Sequence, residues 1–268
     1  MNRLIVGSLG LALGVAAGCA SDGSTSDTVG SGVSTSTVGD ETVDQGPPLD
    51  SEPAIRPGGV SGGQVTVADI AVDYVTVVPE GFEPGDEAPV LIAFPPGGQD
   101  LDVTRSVVEQ TYRDQAVARG WVVISPAAPG GQLYFQGSET LVGELLDWVD
   151  TWVTAEGGKV HLAGISNGGL SAFRVAGQNP ERVASLLVFP GYARADADQA
   201  ALAALTEVPV RMFAGGEDIG WVVPMEETAA ELEELGGDVE LEIFPGEGHI
   251  VEVLRDGVRV FDELDSSR

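Results

Sequence analysis

The sequence has one cysteine, two histidines and one lysine in 268 residues. A lone Cys19 can form no internal disulfide, and His161 and His249 are too few for a multi-histidine metal site. Basic side chains number 13 against 42 acidic ones, a formal net charge of −29. Binding to nucleic acid depends on Lys and Arg displacing condensed counterions, so a nucleic-acid partner is excluded. An anionic bilayer surface repels the chain for the same reason. The longest apolar stretch, from Leu4 to Ala17, falls short of the ~20 residues that span a bilayer as a helix. What is present is 43% hydrophobic residues and 37 glycines, enough for one domain of ordinary size with its own core.

The two ends of the chain differ in kind. Residues 1–19 read as an export signal: Arg3, an apolar and small-residue run, then Ala16-Ala17-Gly18-Cys19. That end resembles the lipobox of bacterial lipoproteins, with Ala16 where Leu is usual, and implies lipidation at Cys19 and a protein held at the cell envelope. The alternative is a plain export signal and a secreted product, with Cys19 incidental. Residues 20–59 are rich in Ser, Thr, Gly, Asp and Pro and bury too little to offset ordering entropy, so a disordered linker is expected there. Setting aside its seven acids and the bases Arg3 and Arg56 leaves 35 acids against 11 bases in residues 60–268, a net of −24. The acidity therefore belongs mainly to the folded part.

Within 60–268, β-branched runs alternate with helical patterns. Strands are expected at Val72–Val78, Val90–Phe94, Trp121–Ser125, Lys159–Ala163, Val183–Phe189, Val210–Ala214 and Val239–Phe244. Helices are expected over Val103–Arg119, after a cap at Ser138, over Gly168–Gln178 and over Pro224–Leu235. Such alternation predicts an α/β fold: a mostly parallel sheet with helices on both faces and a ligand crevice at the carboxyl ends of the strands.

Gly164-Ile165-Ser166-Asn167-Gly168 follows one strand and opens a helix, the setting in which GxSxG places a serine nucleophile on a sharp turn. A serine hydroxyl needs a base, which in this topology comes late in the chain, after the acid. His249, on a glycine-flanked loop after the last strand, fits; His161 lies inside the strand before the elbow and reads as structural. The orienting acid is expected after Val210–Ala214, at Asp218 with Glu217 as the alternative. An oxyanion hole needs two backbone N–H groups: that of Asn167, and one from Pro95-Pro96-Gly97-Gly98-Gln99-Asp100. Prolines have no N–H to give, which leaves Gly98 or Gln99.

With these motifs in place, the sequence resembles the α/β-hydrolase superfamily from about Val65 to Leu264. FPPGGQD, WVVISPAAP, GISNGG, NPERV and FPGEGH together look like small secreted esterases related to polyhydroxybutyrate depolymerases and feruloyl esterases. The departure is Pro95-Pro96, where those relatives commonly have His-Gly. The resemblance implies a serine carboxylic-ester hydrolase that needs no cofactor and no metal. Only about twenty residues, Pro190 to Pro209, separate two strands where a lid could be inserted. An open cleft suited to a small or polymeric ester, on a monomer touching membrane only through its N-terminal anchor, is the expectation. The same triad could serve a peptidase or acyltransferase, and the crevice could serve a non-catalytic ligand-binding lipoprotein.

Overall fold

A computed structural model of the protein describes residues 52–268. Cys19, the expected export signal and the part of the expected linker up to Ser51 lie outside the described residues. An eight-stranded sheet organises the rest. Its strands are β1 (Val60–Val67), β2 (Ile70–Val77), β4 (Val90–Phe94), β5 (Val122–Pro126), β7 (Val160–Gly164), β8 (Val183–Val188), β9 (Val210–Gly215) and β10 (Val239–Phe244). A small parallel pair, β3 (Glu87–Ala88) with β6 (Thr154–Ala155), stands apart. The spatial order is β1-β2-β5-β4-β7-β8-β9-β10, antiparallel from β1 to β5 and parallel onward.

The central strands are buried on both faces, so they read as apolar runs rather than as alternations. In β4, Val90, Ile92 and Phe94 point into one core while Leu91 and Ala93 point into the other. The first core is closed by α3 (Val142–Asp150), α4 (Asn167–Gln178) and α6 (Ile219–Glu234), the second by α1 (Leu101–Val107), α2 (Arg113–Arg119) and α7 (Val258–Ser266). Between β8 and β9 stand only α5 (Asp196–Ala201) and a 3-10 turn, Leu202–Leu205. No helix among the described residues is long and apolar enough to cross a membrane.

Several local expectations need correction. The helix expected over Val103–Arg119 begins at Leu101, where the Asp100 carboxylate accepts from the Val103 N–H at 3.0 Å. It is interrupted by a π-helical segment, Val108–Tyr112, beside Gly257, where a side chain would collide with the Thr111 carbonyl. The helix expected to start at Pro224 begins five residues earlier, so the proline lies inside it, where it has no N–H to give the Gly220 carbonyl. Ser138 caps no helix: its hydroxyl donates to the Gln132 carbonyl, a 3-10 turn follows, and α3 starts at Val142.

The linker boundary also moves. Residues 54–59 are tied to the domain: the Ala54 N–H donates to the Tyr74 hydroxyl at 2.9 Å, Ile55 packs on the core and Pro57 bridges Val78. Their partners lie on β2 and in the core, so composition alone places them wrongly.

Candidate active site

Four strands deliver the candidate residues at their carboxyl ends. After β7 the chain turns through Ile165 and Ser166 into α4. Ser166 holds φ +57° and ψ −120°, a region that non-glycine residues seldom enter. The turn is tight because nothing larger than hydrogen fits beside it. A side chain at Gly164 would collide with the Gly168 carbonyl, and one at Gly168 with the Phe94 carbonyl. The bonds Gly168 N–H to Ile165 O and Gly169 N–H to Ser166 O, both 2.8 Å, close the turn. The Asn167 N–H takes no part in them.

The loops after β9 and β10 are laced together. Gly216 N–H donates to Phe244 O and Glu217 N–H to Glu247 O, each at 2.9 Å, and a side chain at Gly215 would collide with the Gly248 carbonyl. This lacing sets His249 between two partners: Nε2 stands 2.9 Å from Ser166 Oγ, and Nδ1 stands 2.6 Å from Asp218 Oδ2. Asp218 also stands at the N-terminus of α6, where helix dipoles favour a negative charge. The carboxylate meeting the imidazole is thus that of Asp218, while Glu217 is exposed. The His249 side chain is 42% exposed, so the site opens directly to solvent. Trp221 stacks at a tilt on its ring, centroids 5.2 Å apart, and Tyr192 meets Trp221 at 5.3 Å. Ile219 and Ile250, the neighbours of Asp218 and His249 in sequence, are both 60% exposed.

The loop after β4 faces the elbow. Asn167 Nδ2 donates to the Gly97 carbonyl at 2.9 Å, which ties the two together. The two N–H groups expected as alternatives differ in occupation. That of Gln99 donates within its own turn to Pro96 O at 3.2 Å, while that of Gly98 makes no such bond. The Gln99 N–H is thus engaged within the loop, and that of Gly98 is not. The Gln99 side chain is instead fully buried among polar partners, a feature that the glycine-rich sequence around it gave no reason to single out.

His161 makes a similar-looking contact, Nδ1 to Ser185 Oγ at 2.7 Å, but both residues are sealed in the sheet, 3% and 2% exposed. Trp121 stacks edge-on at 4.9 Å. Burial pushes the His161 imidazole down to about 4, with nearby Arg268 adding to the effect. Neither atom of this pair can reach a substrate. Among the described residues, no cluster of His, Cys, Asp and Glu is arranged to hold a metal ion.

A model of the dienelactone hydrolase family matches residues 110–253, which include Ser166, Asp218 and His249. No curated protein matches the sequence. Among solved structures, a ferulic acid esterase is similar with a TM-score of 0.61 and 15% identity over 78% of this chain and 97% of its own. An S-formylglutathione hydrolase from Agrobacterium tumefaciens gives 0.56 and 19% over 78% and 93%. A thermostable esterase gives 0.56 and 15% over 69% of this chain, which spans only 54% of that protein's length. At such identities the likeness is one of fold: the mostly parallel sheet and flanking helices of α/β-hydrolases.

Proposed function

Because the chain belongs to the dienelactone hydrolase family, within the α/β-hydrolase superfamily, we propose that this hydrolase is a serine carboxylic-ester hydrolase. The observation that carries the reading is His249 bridging Ser166 at 2.9 Å and Asp218 at 2.6 Å. Ser166 Oγ attacks the ester carbonyl carbon as His249 Nε2 takes its proton. Asp218 holds the imidazolium through Nδ1. The tetrahedral oxyanion is met by the N–H groups of Asn167 and Gly98. Collapse breaks the bond to the alcohol, which leaves with the proton from His249. Water then attacks the acyl-enzyme, giving its proton to His249, and the acid departs as Ser166 recovers its hydrogen.

The substrate is an uncharged ester with an apolar acyl or alcohol part. Supporting this are the exposed Ile219 and Ile250 next in sequence to Asp218 and His249, the aromatic pair Trp221 and Tyr192, and a net charge of −24 over residues 60–268 that disfavours anions. No cofactor enters these steps. The protein acts as a monomer, exported and anchored through a lipid on Cys19, with residues 20–51 as tether.

A panel of short acyl aryl esters, feruloyl esters and polyhydroxybutyrate oligomers, assayed with wild type and Ser166→Ala, tests the chemistry. Wild type should hydrolyse part of the panel and bind one fluorophosphonate per chain, whereas Ser166→Ala should do neither. An unlabelled, inert wild type would sink the proposal. Cys19→Ser should move the protein from membranes to the soluble fraction, and an unchanged distribution rules out the anchor.

A further inference from the structure

The loop after β4 must hold the Gly98 N–H at a fixed distance from that of Asn167, yet two of its residues are prolines that can donate nothing. A closed circuit of hydrogen bonds runs between the loop and α4. Gln99 Nε2 donates to Ser171 Oγ at 2.9 Å, and Ser171 Oγ donates to the Asn167 carbonyl at 3.0 Å. Asn167 Nδ2 then returns to the Gly97 carbonyl at 2.9 Å. Gly98 stands between the two loop residues that close the circuit. The other end of the Gln99 amide is also used: Oε1 accepts from the Tyr134 N–H at 3.2 Å, and the Gln99 carbonyl accepts from the Ala128 N–H at 2.7 Å. Gln99 is fully buried and holds φ +54°, a conformation glycine would adopt with less strain. A glycine would have no amide to complete the circuit.

We propose that the Gln99 side chain is a positioning residue that sets the spacing of the two oxyanion-binding N–H groups, those of Gly98 and Asn167, by clamping the loop after β4 to Ser171 on α4. The inference rests on the serine-hydrolase reading above. It assigns Gln99 an action through its amide, at one remove from the substrate.

The test is kcat and KM on a short aryl ester, with kcat counted per Ser166 titrated by fluorophosphonate so that misfolded protein drops out. Gln99→Gly keeps the backbone conformation and Gln99→Leu keeps the volume; each should lower kcat by about 10- to 100-fold with KM within about threefold, the pattern of a displaced transition-state contact. Ser171→Ala, which removes two bonds of the circuit and little volume, should lower kcat in the same direction. Gln99→Glu adds a pH signature. Once protonated, its carboxyl can donate to Ser171 Oγ as the amide does, so its kcat relative to wild type should rise as pH falls. Wild-type kcat per titrated site in Gln99→Gly or Gln99→Leu would overturn the inference while leaving the serine-hydrolase reading intact. A wild type without Ser166-dependent turnover would overturn both.

Discussion

Gly215 has no room for a side chain, because the carbonyl of Gly248 occupies the place where one would stand. The acid loop and the base loop therefore touch backbone to backbone, one residue from His249 and three from Asp218. Gly215→Ala should force them apart. Displacing a positioned group by ~1 Å can cost ~100-fold in rate, so kcat should fall by at least that factor. Retention of more than half the wild-type kcat, in protein whose Tm confirms folding, would refute the lacing as the device that seats the histidine.

Asp218→Asn keeps the shape at His249 Nδ1 but removes the charge and favours the wrong tautomer. The loss in kcat should approach ~10⁴-fold, as in other serine triads. Glu217→Gln, at an exposed carboxylate, should stay within about threefold of wild type, since it touches none of the reacting groups. Equal losses in the two variants would contradict the assignment of the acid.

His161→Gln should leave turnover per titrated Ser166 near wild type, while His249→Ala abolishes it. The two histidines also part company in stability. The folded His161 imidazole is held down to about 4 from its ordinary value near 6.5. The unfolded chain therefore binds the extra proton first as pH falls, and stability drains between roughly pH 6.5 and 4. That contribution is of the order of 3 kcal/mol over the window. Urea unfolding at pH 7 and pH 4.5 checks it: His161→Gln should lose less stability between the two than wild type, and an identical loss would exclude the buried imidazole as a source.

Arg174 on α4 joins Glu139 at 2.8 Å and Asp198 by a bidentate contact, with the three side chains 17%, 9% and 2% exposed. Arg174→Leu strands two buried carboxylates and should cost ~3–5 kcal/mol. Arg255→Ala breaks an exposed pair with Glu252 and should cost under ~1 kcal/mol. Thermal melts of the two variants side by side would show comparable losses if burial of the Arg174 cluster carried no weight.

What the sequence disclosed follows from how local each requirement is. Ser166 was legible because its turn demands Gly164 and Gly168 within two residues, and the strand and helix on either side are strongly patterned. Asp218 and His249 followed from chain order, a consequence of topology. The Gln99 clamp was not legible, since its partners Tyr134 and Ser171 lie 35 and 72 residues away. Strand β1 was hidden by Gly62-Gly63, which weaken any strand signal. A side chain at Gly63 would run into the Tyr74 ring, the group that also receives the Ala54 N–H. The π-helical segment was equally invisible, because it is accommodated by Gly257, far along the chain.

His249 follows β10, the outermost strand of the sheet, hydrogen-bonded to β9 on one side and exposed along much of its length. Ser166 follows β7, which has strands on both sides. Ser166 and His249 thus stand after a central strand and an edge strand, and sheet edges as a rule open at a lower free energy than centres. Dilute urea is therefore expected to lower ester turnover before tryptophan fluorescence reports unfolding of the core, and coincident loss of the two signals would exclude it. Turnover would then report on the edge of the sheet before any probe of the core does.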